Sequence, residues 1–468
     1  MRLQIVSTVI HCNLCGMNKQ VTFQSTATFY VSVMLSACLY YLLAYHASRE
    51  SFAQVISLFS CLFITYLFAW KFFSKNFFTH LIGAGILFRV ILLFSTPNLS
   101  DDVYRFIWDG RLAANGINPF NFLPADIITG PAIKGIGPEL FDKLNSPSYH
   151  SIYPPVLQSI FWLAAKLFPV NIFEAIVFMK TVILFVEIGT IALVILILKK
   201  LSLPKENCLI YFINPLVIME LTGNVHFDGL LIFCILLSFY LFIITKWKAS
   251  SIALGVGIAV KLIPVLFLPL LAIRQGWRKG LLYAVITGTS ALALFALIFD
   301  SDNVQHLLSS TSLFIKKFEF NASLYYVFRW IGTLLKGYNP IASIGPLLYL
   351  AAACFIILLS YYRKTKPTVH LFVSALAIIT IWYLFSTTVH PWYICLPVAL
   401  SVFTNYRFAM LWSFTSLFSY YAYSSKPVEE NVWLIGAGYL LLITFAIWEL
   451  YRAKKSVSIL NLLNVDPE

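Results

Sequence analysis

The block Ser100-Asp101-Asp102-Val-Tyr104-Arg105-Phe-Ile-Trp108-Asp109-Gly110-Arg111 carries acids and bases at helical spacing, directly after a long apolar run. On a helix, Asp102, Arg105 and Asp109 share one face at i, i+3 and i+7. Asp101, Arg105, Trp108 and Leu112 form the adjacent stripe. Arg105 can pair with one carboxylate while another stays free. Adjacent carboxylates at a membrane exit suit two kinds of chemistry: a general base for a hydroxyl, or a divalent-metal site. Ser100 is the expected N-cap, the helix should end near Gly116, and Asn118-Pro119-Phe120 should begin a turn. The plainer alternative is a capped amphipathic helix lying on the membrane surface. Other groups of chemical interest follow in the chain. They are His226 and Asp228 after Gly223-Asn224, Lys261 inside an apolar segment, and His390 before Pro391-Trp392-Tyr393.

These residues need a scaffold, and composition says which. The chain has 468 residues, 60% apolar and 11% charged, whereas soluble domains carry about 25% charged residues. That excludes a soluble enzyme and a disordered chain. The apolar runs are continuous and helix-length, unlike the alternating strands of a membrane barrel. The fold class is therefore all-α, a polytopic transmembrane helical bundle. The net charge of +13 sits in short loops between apolar runs, so it sets topology and does not imply nucleic acid. Cysteines are scattered as small apolar side chains. His11-Cys12-x-x-Cys15 lacks a second ligand pair, and the run Leu3–Ile10 is too short for a signal peptide.

Placing the Lys and Arg clusters in the cytoplasm puts the loops at 97–153, 223–226, 300–322, 387–393 and 424–431 outside. The count closes with about 12 crossings plus two half-depth segments, 154–168 and 251–273, and both termini inside. The first half-depth segment opens with Pro154-Pro155. The second contains Gly255, Gly257, Pro264 and Pro269 around Lys261. Such breaks are tolerated at membrane depth where they line protein or a cavity. The expected organisation is a cytoplasmic N-terminal extension (1–26), a transmembrane domain (27–451) with a long outer loop at 97–153 carrying amphipathic helices, and a cytoplasmic tail (452–468). Asp101, Asp102, His226, Asp228, Asn321, Ser323 and His390 then share the outer face.

The order of motifs is also familiar. Asp101-Asp102-x-Tyr104-Arg105, Trp108-Asp109-Gly110-Arg111, Gly116-x-Asn118-Pro119-Phe120 and Tyr153-Pro154-Pro155 resemble the GT-C superfamily of integral-membrane glycosyltransferases. The resemblance is nearest to bacterial polyprenyl-phosphate-mannose-dependent mannosyltransferases. Gly223-Asn-x-His226-x-Asp228-Gly229, Val260-Lys261-Leu-Ile-Pro264, Phe320-Asn321-x-Ser323-Leu324-Tyr325 and His390-Pro391-Trp392-Tyr393 agree, so the likeness runs from about residue 80 to 405. It implies an essential acid in the first outer loop, which Asp101 and Asp102 match, a polyprenyl-phosphate sugar donor, and an acceptor glycosylated outside the cytoplasmic membrane.

On this reading the enzyme is a hexosyltransferase, with mannose the sugar the resemblance suggests. Asp101 or Asp102 takes the proton of the acceptor hydroxyl, and the anomeric centre inverts in a single displacement. Lys261, Arg89 and Arg105 are the cations available to the departing phosphate. Asp109, His226, Asp228 and His390 are further substrate-binding candidates. Lys180 and Glu187, seven apart on one helix face, are assigned to helix packing. The expected partners are the lipid-linked donor, a glycan or glycolipid acceptor and membrane lipid. No organic cofactor is expected, and a divalent cation at Asp101 and Asp102 is left open. The competing reading is a transporter or flippase of a lipid-linked sugar, since broken helices and buried charges are transporter features too.

Overall fold

The computed structural model describes residues 25–298, 301–365, 367 and 370–462. Cys12 and Cys15 lie outside the described residues. The first half contains α1 (Ser25–Tyr45), α2 (Phe52–Phe73), α3 (Phe78–Leu92), α4 (Asp102–Ala114), α5 (Pro155–Leu167), α6 (Ile172–Lys200), α7 (Pro215–Gly223), α8 (Asp228–Ile243) and α9 (Trp247–Val260). The second half contains α10 (Ile263–Arg274), α11 (Trp277–Phe295), α12 (Ser301–Lys316), α13 (Leu324–Lys336), α14 (Ile341–Tyr362), α15 (His370–Phe385), α16 (Pro391–Ser401), α17 (Phe408–Thr415) and α18 (Val432–Leu462). Among the described residues the extended pairing is a single parallel bridge between Phe320 and Thr388.

Helices α1, α2, α6, α14 and α18 are long and apolar enough to cross a membrane. The pair α7 and α8 makes a sixth candidate, bent by 114° at its break. This is the polytopic helical bundle that the composition requires. The long helices keep much of their surface outward, with Met34, Ile64, Phe185, Leu350 and Leu440 all exposed. The short elements do the opposite: every residue of α7 and of Cys395–Ser401 is buried.

The apolar run at 206–222 is broken. Asn214-Pro215 interrupts it, because proline cannot continue the preceding helical turn. The Asn214 side chain instead accepts from the amides of Leu216 and Val217 and starts α7. The segment at 251–273 breaks at Lys261, which is extended between α9 and α10. Helix α5 has 13 residues, about 20 Å at 1.5 Å per residue, short of a full hydrocarbon core.

Two internal cations fix the helices that flank the loop at 97–153. Lys180 Nζ on α6 donates to Leu92 O at 2.7 Å, Ser95 O at 2.6 Å and Ser95 Oγ at 2.9 Å, neutralising the carbonyls at the end of α3. Arg89 pairs with Glu187 at 3.0 Å, both fully buried. Lys180 and Glu187 thus each pack α6 against α3.

Helix α4 lies against α5 with Phe106 stacked on Phe161 at 4.6 Å. Gly110 makes that approach feasible: a Cβ there would sit 2.2 Å from Phe161 O. Gly110→Ala is therefore expected to force the two helices apart and destabilise the fold by about 1–3 kcal/mol, as overpacking does. A lower melting temperature in detergent checks it, and wild-type melting would contradict the close packing.

Candidate active site

The loop at 97–153 delivers its two leading acids to different partners. Helix α4 begins at Asp102, with Asp101 as the N-cap, one residue later than expected. Ser100 still serves the turn, because its Oγ accepts from the Asp102 amide at 3.3 Å. Asp101 is clasped by Arg49, at 2.5 Å. Asp102 Oδ1 accepts from Asn145 Nδ2 at 2.7 Å. Asp102 Oδ2 faces His226 Nε2 at 3.8 Å, beyond hydrogen-bond reach. Its side chain is 22% exposed, so this carboxylate is open to a substrate.

Arg105 and Asp109 do a different job. Arg105 Nε donates to Asp109 Oδ1 at 2.8 Å, and its Nη1 donates to Ser146 O and Tyr149 O at 3.1 and 2.9 Å. Asp109 Oδ2 accepts from Ser151 Oγ and from Gln158 Nε2. The pair is buried and ties the returning loop to α4. Arg105 chooses the acid one turn on, which leaves Asp102 free of it. The far side of the loop is held against α12, where His150 stacks on His306 at 4.1 Å. Burial, then the cationic form of His306, lower the readiness of His150 to protonate.

His226 is placed by an unusual backbone. Residues Ile218–Gly223 wind as a π-helical turn, a form often found at functional sites. Val225 then takes φ 62°, a left-handed conformation that a β-branched residue rarely adopts. The kink turns His226 inward. Its ring stacks on Trp392 at 3.8 Å, Trp392 stacks on His390 at 4.3 Å, and His390 lies 5.0 Å from Phe320. Burial pushes the His390 imidazole down to about 3, with Lys261 and His226 adding to the effect, so it is neutral at pH 7. His226 Nε2 and His390 Nδ1 are buried with no hydrogen-bond partner.

Lys261 joins the cluster from the α9–α10 break. Its Nζ contacts both Asp228 oxygens, at 2.9 and 3.1 Å, and sits 4.3 Å over the Tyr393 ring. Asp228 opens α8, where a carboxylate complements the helix dipole. Lys261 remains 30% exposed. A chain of contacts therefore runs Asp102, His226, Trp392, Tyr393, Lys261, Asp228.

Arg89 does not join it. Besides Glu187, Arg89 donates to Gly85 O and Phe212 O, so its side chain points into the bundle and away from the loop acids. Asn321 is a structural pin. At φ 48° it donates from its side chain to Val389 O and from its amide to Glu430, and it accepts from Tyr439. It holds the loop before α13 against the His390 turn. Among the described residues no three His, Cys, Asp or Glu side chains gather as a metal site would.

The comparison with known families decides the class. Residues 14–275, more than half of the chain, match the family described as Alpha-(1->6)-mannopyranosyltransferase, N-terminal domain. The chain belongs to this mannosyltransferase family. No curated protein is similar to it in sequence at a significant level. The match spans Asp101, Asp102, His226, Asp228 and Lys261. His390, Trp392 and Tyr420 lie beyond it. It bears out the likeness drawn from the loop motifs, and the molecule is a mannosyl-transferring enzyme built on membrane-spanning helices.

The geometry adds neighbours of these residues that the sequence reading passed over. Glu220, fully buried, sits beneath His226. Arg49 clasps Asp101. Trp392 is the centre of the ring stack. The signal for Glu220 was present as a lone acid inside an apolar run.

Proposed function

We propose that the enzyme moves a mannosyl group from a polyprenyl-phosphate donor to an envelope glycan or glycolipid acceptor on the outer face of the cytoplasmic membrane, with inversion. The observation that carries this reading is the division of labour between the adjacent acids: Asp101 is engaged by Arg49 and Asp102 is open. Asp102 takes the proton from the acceptor hydroxyl as that oxygen bonds to the anomeric carbon. The bond from that carbon to the phosphate oxygen breaks, and polyprenyl phosphate leaves with the electron pair. Lys261 receives the developing charge, a contribution that a low-dielectric site makes large. To do so it must exchange Asp228 for the phosphate, and the partial exposure of its side chain leaves that open. No second free carboxylate stands among the contacts as a nucleophile, which favours a single displacement. The organisation into a cytoplasmic extension (1–26), a transmembrane domain (27–451) and a tail (452–468) belongs to the same proposal.

The test is transfer of radiolabelled mannose from polyprenyl-phosphate-mannose to octyl α-mannoside in proteoliposomes. A labelled disaccharide with α-configured linkage, from a β-configured donor, is expected. Movement of the donor across the bilayer without any new glycosidic bond would favour the flippase alternative. Lys261→Ala is expected to weaken donor use by about tenfold or more, since one charge-assisted phosphate contact is worth about 1.5–3 kcal/mol. Measuring kcat/KM against donor concentration checks it, and an unchanged value would remove Lys261 from phosphate recognition.

A further inference from the structure

The mechanism above leaves a fully buried carboxylate unused, directly behind the base. Glu220 lies in the π-turn, and three groups converge on its side chain. Tyr420 donates to Oε1 in a very short hydrogen bond. Asn224 Nδ2 donates to Oε2 at 3.1 Å. His226 Nδ1 stands 3.3 Å from Oε2 and 3.0 Å from the Glu220 main-chain oxygen. Both oxygens facing Nδ1 are acceptors, so Nδ1 carries the proton. Nε2 is then a bare lone pair, buried, unpartnered and turned towards Asp102 Oδ2 at 3.8 Å. The far face of the ring is closed by Trp392. Among the described residues no other charged group contacts the imidazole: His390 lies beyond Trp392, Lys261 is held by Asp228, and Arg49 is held by Asp101.

We infer that Glu220 is a positioning residue for mannosyl transfer, fixing the tautomer and tilt of His226 so that Nε2 accepts the proton that Asp102 gains. The inference rests on Asp102 being the base. Before reaction, two acceptors face each other across the gap. When Asp102 takes the acceptor proton it becomes an O–H donor, and Nε2 is the acceptor waiting for it. If the proton passes on, the imidazolium that forms is stabilised at Nδ1 by the Glu220 carboxylate. The proton count is conserved: one leaves the acceptor hydroxyl, and one is held between Asp102 and His226 until solvent removes it. The interaction appears as the transition state is reached, so it acts on kcat and not on substrate affinity. The left-handed Val225 and the π-turn are the local distortions that bring Glu220 and His226 into register.

The test compares Glu220→Gln, Tyr420→Phe, His226→Gln and the Glu220→Gln/His226→Gln double variant with wild type, using octyl α-mannoside and polyprenyl-phosphate-mannose. Glu220→Gln keeps the volume but offers Nδ1 an amide in place of a carboxylate. It is expected to lower kcat by about 10²-fold, as misplacement of a reacting group does, with both KM values little changed and the pH profile of kcat displaced. Tyr420→Phe should shift the same parameters in the same direction by less. The double variant should lose no more than His226→Gln alone, because Glu220 acts through His226. Wild-type kcat in Glu220→Gln would overturn the inference. So would additive losses in the double variant, which would mark Glu220 as a support of the fold. Melting temperatures in detergent identify a variant that fails to fold, and Tyr420→Phe then carries the comparison. Asp102→Asn is run in parallel. If it is inactive while Glu220→Gln is normal, the positioning role alone fails. If it is active, the general-base reading fails as well.

Discussion

Replacing Asp102 by Asn is expected to lower mannosyl transfer by about 10²–10⁴-fold, the range a positioned general base contributes. Asn keeps the size of the side chain and its contact with Asn145, but it cannot take a proton. Folding should be nearly unaffected, because Asp102 forms no salt bridge with a buried cation. Asp101→Asn should behave differently. It removes the pairing with Arg49, in which both side chains are about 30% exposed. Ion pairs of that exposure are worth about 1 kcal/mol or less, so a loss below about fivefold is expected. The measurement is label transfer by the two variants at equal amounts of folded protein. Equal losses in both would mean that the pair acts together. Full activity in both would end the general-base reading.

The largest effect on stability is expected at Arg89. Its guanidinium and the Glu187 carboxylate are both fully buried, and Tyr211 donates to the second carboxylate oxygen at 2.7 Å. Removing one member of a buried pair leaves the other charge uncompensated, at a cost of about 3–5 kcal/mol. Arg89→Met should therefore fail to accumulate as a monodisperse protein in detergent. Arg89→Met with Glu187→Gln should recover much of the lost stability, because the orphaned charge is removed as well. What folds of that double variant should still transfer mannose, since neither residue touches the site. Gel filtration and melting curves of both variants check the stability claim. Loss of kcat in a well-folded double variant would contradict the structural assignment of Arg89.

That assignment shows how far the sequence could be read. The loop block, and the grouping of Asp101, Asp102, His226, Asp228, Asn321, Ser323 and His390, came from motif order together with loop charge. The structure puts Asp102 near His226 and stacks both His226 and His390 on Trp392. Arg89 was misplaced because depth along a helix was used without knowledge of rotation about its axis. It sits at the right height to reach the loop and faces the wrong way. Glu187, its partner, was recognised as a packing residue without the identity of what it packs against. Glu220 was hidden for a different reason. Periodicity describes regular helices, and this acid lies where the helix is neither regular nor continuous. A π-turn followed by a left-handed valine has no signature in spacing, so the direction of Glu220 and of His226 could not be drawn from it. Arg49 was absent from the charge argument.

The broken core has a bearing on how the molecule is made. A segment needs about 20 apolar residues to partition into a bilayer as a spanning helix. The elements that carry Asp102 and Glu220 fall short: α4 has 13 residues and the helical turn that bears Glu220 has 6. Such pieces have no reason to enter lipid one at a time as the ribosome delivers them. The long helices α1, α2 and α6 can insert and wait, while α7 and α8 acquire a partner for their bend once Trp392 and Tyr420 have been synthesised, some 170 to 200 residues later. The site around His226 can therefore close only after the chain has been made as far as Tyr420.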